Sequence, residues 1–167
     1  ELPPGVSMWR LPSNHMSRNF FRVVRYLSSE GPSVVIGVMA QTSFWVYLAS
    51  VFSRSRVRLI FAEHSDTQLI FTANKIKRYV FGKFVGFAYR RSSALVAVSD
   101  GVADSVSDFY GVERARVETV YNGVDSERIR QLSRSGIVGR HRFGGRKIVV
   151  SVGRLVHLKG FATLISC

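Results

Sequence analysis

The sequence is poor in cysteine and in acidic residues, and both shortages exclude classes of protein. Its single cysteine, Cys167, stands at the last of 167 positions, which excludes a disulfide framework and any metal site built on cysteine ligands. Asp and Glu number 11 against 24 Lys and Arg, so the formal net charge is +13. This excess predicts an anionic partner such as nucleic acid, anionic lipid or a phosphorylated small molecule. The cysteine usage fits a reducing, cytosolic setting.

Several motifs that would assign a function directly are also absent. The sequence has no Walker phosphate loop, no glycine-rich dinucleotide fingerprint and no Asp-x-Asp pair for a metal. Residues 1–4 have neither the basic start nor the apolar core of a signal peptide. Residues 31–53 carry no charge, but Ala40-Gln41-Thr42-Ser43 divides them. We therefore interpret this run as a buried strand followed by a helix, rather than as a membrane span.

What the sequence does contain is an alternation of strand-like and helix-like segments. Helices are predicted over 17–30, 42–53, 74–92 and 100–110, and strands over 34–38, 57–62, 94–98, 117–121 and 147–152, with an edge strand at 6–11. This alternation predicts an α/β fold with a Rossmann-like, doubly wound parallel sheet, in which 34–38 is a central strand. Residues 133–146 are rich in Ser, Gly and Arg and predict a linker, so we place domains at 1–140 and 141–167.

The strand at 147–152 leads into a loop that could hold phosphate. Gly153 follows the strand, Arg154 comes next, and a helix is predicted to start near Lys159. Such a turn brings backbone N–H groups, a helix N-terminus and two cations towards one point. The pattern alone is weak, because strand, glycine and helix recur in every α/β protein and a cation there is often a solvated side chain.

Three separated segments make a more specific pattern together. They are Ala97-Val98-Ser99-Asp100-Gly101-Val102, then Val120-Tyr121-Asn122-Gly123-Val124-Asp125, then Val152-Gly153-Arg154-Leu155-Val156 leading into Lys159-Gly160-Phe161. In this order and spacing the chain resembles a family 4 glycosyltransferase of the GT-B fold, from about residue 30 to the end. The resemblance implies two Rossmann-like domains with the active site in the cleft between them, the acceptor on the first and the nucleotide-sugar on the second.

The resemblance also implies roles for particular residues. Gly153, Arg154 and Lys159 fall where the family neutralises the donor diphosphate, which requires no metal. The segment at Asn122, Gly123 and Asp125 would be the hinge between the domains. We expect no cofactor, because the nucleotide-sugar is a substrate.

His64 is assigned on the same basis. The family places a histidine at the end of the corresponding strand, close to the transferred sugar, so His64 is the candidate catalytic residue. It would donate a hydrogen bond to the sugar or to developing charge, while the proton in retaining transfer goes to the leaving phosphate. The alternative from sequence is an ordinary surface histidine among Glu63, Ser65 and Asp66.

The helix at 74–92 combines basic and aromatic residues and has no acid. Its membrane-surface candidates are Lys75, Lys77, Arg78 and Lys83. One interpretation is a solvated basic face over an ordinary core stripe. The other is an interfacial helix on anionic lipid, which agrees with the lipid-linked or cell-envelope acceptors of many similar enzymes and with a cytoplasmic protein peripheral at the inner membrane face.

Departures from the family pattern shape the remaining expectations. The family's Glu-x7-Glu segment and its first strand with a glycine-rich loop are missing, and His157-Leu158 stand where similar enzymes often carry proline or an acid. We therefore expect a fragment that is inactive alone. The leading hypothesis is a retaining nucleotide-sugar glycosyltransferase. The alternatives are a basic nucleic-acid-binding module, for which no recognised signature is present, or another GT-B enzyme such as an epimerase or phosphorylase.

Overall fold

The computed structural model describes residues 4–13, 15–65, 75–134, 148–156 and 159–166, without the side chains of 75–78. The chain forms two compact units, Glu1–Gly123 and Val124–Cys167. The division follows Asn122 and Gly123, two of the residues predicted as a hinge. Residues 133 and 134 of the predicted linker are helical, and the rest of the linker, with the predicted boundary near residue 140, lies outside the described residues.

Helices and strands alternate through the first unit, close to the predicted bounds. In chain order they are α1 Met16–Glu30, β1 Val34–Val38, α2 Ala40–Ser53, β2 Arg58–Glu63, α3 Lys75–Arg90, β3 Ala94–Ala97, α4 Asp100–Tyr110 and β4 Val117–Thr119. Gly31 and Gly111 end α1 and α4 in the left-handed conformation, at φ 53° and 62°, which glycine adopts without steric cost.

The edge strand predicted at 6–11 is wrong. These residues pair with no strand of the described sheet, and Trp9 instead stacks on Tyr26 of α1 with ring centroids 5.1 Å apart. The weak alternation there reflects packing of an irregular segment against a helix, since an isolated strand has no ladder to join.

The four strands form one parallel sheet in the order β1-β2-β3-β4, which confirms the predicted parallel α/β architecture. Connections between parallel strands are almost always right-handed. When neighbouring strands follow one another in the sequence, as here, this handedness places the connecting helices on one face of the sheet. The sheet face that carries Leu59, Phe61 and Leu95 is accordingly buried under α2, α3 and α4.

The opposite face of the sheet is open among the described residues. It carries Val34, Ile36 and Val38 of β1, and Ile36 is 61% exposed. The register pairs Ile36 with Ile60, and Ile60 with Ala94, so this apolar surface continues across three strands. One prediction differs here: β1 is an edge strand of the described sheet rather than a central one.

Two glycines allow α3 to approach the end of α4 closely. A Cβ atom at Gly82 would lie 3.4 Å from the ring of Phe109, and one at Gly86 would overlap the carbonyl oxygen of Tyr110. Arg90 completes the contact, because its Nη1 donates to the carbonyl oxygen of Gly111 at 3.0 Å. Glycine weakens an isolated helix, but here it makes room for tertiary packing.

We expect Gly86→Ala to lower the free energy of unfolding by about 2 kcal/mol, because the added methyl group meets backbone that has little freedom to move. Urea denaturation of both proteins measures the difference. Gly101→Ala is the matched control, since Gly101 is also helical but has no atom within 4 Å of its Cβ position. That variant should be unchanged or slightly more stable. Equal effects at both positions would contradict the steric account of Gly86.

The described residues of the second unit form two short helices, α5 Ser126–Arg134 and α6 Phe161–Ser166. Asp125 caps α5, because its Oδ1 accepts a hydrogen bond from the backbone N–H of Arg128 at 2.9 Å. The strand predicted at 147–152 forms no ladder with any described residue, and Val152 is 91% exposed. A β-branched run becomes a strand only where neighbouring strands supply hydrogen bonds.

Of the helices that the structure describes, none combines the length and the apolar character needed to cross a membrane.

Candidate functional site

The carboxyl ends of the strands in the first unit bring candidate groups to one edge of the sheet. His64 directly follows β2, and its side chain is exposed. Met39 directly follows β1, and its backbone N–H donates to the carbonyl oxygen of Ala62 at 2.9 Å. This is the edge where parallel α/β sheets bind ligands, so the turn after β1 and the position of His64 are neighbours in the candidate site.

Met39 holds an unusual backbone conformation at this edge. Its φ of 70° with ψ of 145° lies near a region that is otherwise almost restricted to glycine. Such strain costs on the order of 1–3 kcal/mol and persists only where surrounding contacts impose it. The contacts here are the hydrogen bond to Ala62 and a second one, from the N–H of Ser43 to the carbonyl oxygen of Met39 at 3.0 Å.

A buried carboxyl group lies one residue before His64. Glu63 is 1% exposed and continues the core-facing alternation of Leu59 and Phe61. The hydroxyl of Tyr89, from α3, donates a hydrogen bond to its Oε1. Burial raises the pKa of Glu63 to about 7, although the hydrogen bond from Tyr89 acts in the opposite direction. A raised pKa in a carboxyl group is a common feature of functional sites.

Tyrosines from two helices enclose this carboxyl group. The rings of Tyr89 and Tyr110 pack edge to face with centroids 5.1 Å apart. Burial raises the pKa of both hydroxyls, and the nearby charge of Glu63 adds to it. Among the described residues, Glu63 Oε2 and the Tyr110 hydroxyl have no hydrogen-bond partner. Ser43 acts to lower the pKa of Tyr89, and its Oγ donates to the carbonyl oxygen of Gly37 at 3.2 Å.

Asp100 is the centre of a hydrogen-bond cluster at the same edge of the sheet, near the carboxyl ends of β3 and β4. Its carboxylate accepts hydrogen bonds from Thr119 Oγ1 at 2.7 Å, from the Tyr121 hydroxyl at 3.1 Å and from Arg114 Nη2 at 3.2 Å. The hydrogen bonds from Thr119 and Tyr121, with the charge of Arg114, lower the pKa of Asp100. Ser99 caps α4, the helix that begins at Asp100. Its Oγ accepts a hydrogen bond from the N–H of Val102 at 3.3 Å.

The predicted diphosphate loop lies in the second unit. The aliphatic stem of Lys159 packs against Gly153, with Cγ and Cδ both 3.6 Å from the position that a Cβ of Gly153 would take. Turn hydrogen bonds join Val156 N–H to the Arg154 carbonyl oxygen at 2.8 Å and Lys159 N–H to the Val156 carbonyl oxygen at 2.9 Å. The structure thus brings Gly153 and Lys159 together, with Arg154 exposed on the same loop.

A sequence profile of Glycosyltransferase Family 4 matches residues 2–128, which include β1 to β4 and the edge formed by their carboxyl ends. The chain belongs to glycosyltransferase family 4. The match confirms the resemblance seen in the sequence, and it gives the chain a domain of glycosyltransferase type whose substrates are a sugar donor and an acceptor. A search of curated proteins found no match.

The structure places some of the residues predicted as a hinge or as a membrane surface. Asn122, Gly123 and Asp125 are exposed at the division between the two units. Lys83 is exposed on α3, with Nζ 5.3 Å from the ring centroid of Tyr79. The side chains of Lys75, Lys77 and Arg78, and the residues His157 and Leu158, lie outside the described residues. No group of three or more potential metal ligands is found in the part of the chain that the structure describes.

In the sequence, Glu63 stands out only as a neighbour of His64, and Met39 does not stand out at all. The signal for Glu63 was available, because Leu59, Phe61 and Glu63 share the period of two that places side chains on one face of a strand. No local signal identifies Met39, since methionine is not a residue typical of positive φ.

Proposed function

We propose that this chain contributes to a retaining glycosyltransferase that moves a sugar from a nucleotide-sugar to a cell-envelope or lipid-linked acceptor at the cytoplasmic face of a membrane. The family match over residues 2–128 is the observation that carries the proposal. The exposed position of His64 at the carboxyl edge of β2 and the pairing of Gly153 with Lys159 support it.

In the proposed chemistry, Arg154 and Lys159 act on the leaving diphosphate and His64 acts on the donor sugar. Departure of a nucleoside diphosphate places negative charge on the leaving oxygens, and Arg154 and Lys159 would neutralise that charge with fixed cations. His64 would donate a hydrogen bond to the donor sugar or to the charge that develops beside it. The proton of the acceptor hydroxyl goes to the leaving phosphate as the new glycosidic bond forms and the bond from sugar to phosphate breaks.

His64→Ala tests the assignment in the full-length enzyme. We expect the transfer rate from a radiolabelled nucleotide-sugar to fall about tenfold, because a hydrogen bond made in the transition state is lost. His15→Ala is the control, since His15 is an exposed histidine of the same unit at the start of α1. Analysis of the products distinguishes transfer from epimerisation or phosphorolysis. A rate within about twofold of wild type would reject the role of His64.

A specific arrangement along α3 and the residue that follows it favours a membrane as the site of transfer. Tyr79, Lys83, Phe87 and Arg91 follow one another at four-residue intervals and are all exposed. The two cations lie over the two rings, with Arg91 Cζ 4.1 Å from the centroid of Phe87. Aromatic rings at headgroup level beside lysine and arginine are typical of surfaces that bind anionic lipid.

Sedimentation with vesicles tests this surface. Replacing Lys75, Lys77, Arg78 and Lys83 by glutamine should abolish binding to vesicles that contain phosphatidylglycerol, because each cation near the surface contributes about 1 kcal/mol. The control replaces Arg128 and Arg130 of α5, which are exposed in the second unit, and should bind as the wild type does. Undiminished sedimentation of the fourfold variant would reject the membrane surface.

A further inference from the structure

Two features that cost stability lie together at the carboxyl edge beside His64. One is the buried carboxyl group of Glu63, whose desolvation opposes ionisation. The other is the strained backbone of Met39. The hydrogen bond from Met39 N–H to the Ala62 carbonyl oxygen joins the two, because Ala62 directly precedes Glu63. Stability costs that cluster at one place are characteristic of a functional site.

The end of β2 is held from three directions. Met39 ties it to the turn after β1, and Val98 N–H donates to the Glu63 carbonyl oxygen at 3.1 Å, which ties it to the end of β3. The third tie is the side chain of Glu63, which points under the sheet and accepts from the hydroxyl of Tyr89 on α3. The chain leaves the sheet at the next residue, His64.

An apolar side chain would fill the position of Glu63 at a lower cost. Leucine has a similar volume, and replacing a buried ionisable group by a well-packed apolar one is often neutral or stabilising. The polar groups near the carboxyl group are the hydroxyls of Tyr89 on α3 and Tyr110 on α4, and the two rings are in contact. Side chains from two helices thus meet at one carboxyl group beneath the candidate site.

We propose that Glu63 is a positioning residue: through its hydrogen bond with Tyr89, it fixes the last peptide units of β2 and thereby the place from which His64 reaches the substrate. The proposal rests on the role of His64 given above. Glu63 itself does not reach substrate, because it is buried. The tie between Tyr89 and Glu63 spans 26 positions in the sequence, so it couples the site directly to α3.

Amide hydrogen exchange tests the positioning without reference to activity. In Glu63→Leu and in Tyr89→Phe, the amides of Met39 and Val98 should exchange at least about tenfold faster than in wild type, because the end of β2 opens more readily. The amide of Phe61, in the middle of the strand, should change less than about threefold. Glu63→Gln keeps an acceptor for Tyr89 and should match the wild type when exchange is measured at about pH 5, where Glu63 is protonated in the folded chain. Unchanged exchange of both amides in either folded variant overturns the proposal.

Kinetics of the full-length enzyme test the link to His64. Glu63→Leu should lower kcat about tenfold with little change in the donor KM, and Glu63→Gln should restore it. In the His64→Ala background, Glu63→Leu should have almost no further effect, because both changes act through one group. Fully additive losses overturn the proposal. Normal transfer by His64→Ala would instead reject the role of His64, and no transfer by the wild type would reject the proposed function. In either case the exchange measurement would still decide whether Glu63 holds the strand end.

Discussion

Replacing Arg154 or Lys159 by alanine is expected to lower kcat for sugar transfer by about 100-fold to 1,000-fold in the full-length enzyme. The loss follows from the charge on the leaving diphosphate, which is greatest in the transition state. A fixed cation that meets this charge stabilises the transition state more than the bound substrate, so kcat falls more than the donor KM rises. Single-turnover transfer from a radiolabelled donor measures the effect on the bond-breaking step.

Conservative substitutions separate charge from packing at this loop. Lys159→Arg keeps the charge and should lose far less than Lys159→Ala. This comparison matters because the aliphatic stem of Lys159 packs against Gly153, so alanine also removes a loop contact. Arg128→Ala removes an exposed cation of α5 in the same unit and should leave kcat unchanged. Losses below about tenfold for both alanine variants, roughly 1.4 kcal/mol each, would contradict diphosphate stabilisation by these cations.

The sequence is sufficient to predict those features of the fold that depend on short-range pattern. Runs of β-branched residues such as Val34-Val35-Ile36 mark strands, Ser99 marks the start of α4, and Gly111 marks its end, because each acts through its own backbone neighbours. Their alternation with helices then predicts a parallel sheet. The family can also be recognised from the sequence, because each of the motifs that indicate it is a short continuous segment.

Features that depend on distant partners could not be predicted in this way. The edge position of β1 is set by which strands stand beside it, and that information is absent from residues 34–38. From the sequence, Gly86 is predicted only to destabilise its helix. Its role in packing depends on the carbonyl group of Tyr110, which lies against it in the structure. The same applies to Glu63, since its environment is created by Tyr89 and Tyr110 from two later helices.

The burial of Glu63 also predicts an unusual dependence of stability on pH. Its pKa is raised from 4.5 to about 7 in the folded chain, so the folded state holds this proton more tightly than the unfolded state does. The contribution of Glu63 to stability is therefore full below pH 4.5 and declines as the pH rises towards 7. A shift of this size corresponds to a loss of about 3 kcal/mol.

Glu63→Gln isolates this effect, because glutamine has the same shape, accepts from Tyr89 and does not ionise. Urea denaturation of both proteins at several pH values gives the difference in the free energy of unfolding. We expect that difference to move by about 3 kcal/mol in favour of the variant between pH 4.5 and pH 8, so that at pH 8 the substitution stabilises the chain.

Tyr89→Phe tests the same effect in a different way, because it keeps the ionisable group of Glu63 and removes the hydrogen bond to it. The hydrogen bond from Tyr89 lowers the pKa of Glu63, so its removal should extend the decline in stability to a higher pH than in wild type. The two variants therefore shift the pH dependence differently, although both alter the same buried pair. A difference between wild type and Glu63→Gln that stays within about 1 kcal/mol over the whole range would show that the carboxyl group ionises as easily in the folded chain as in the unfolded one.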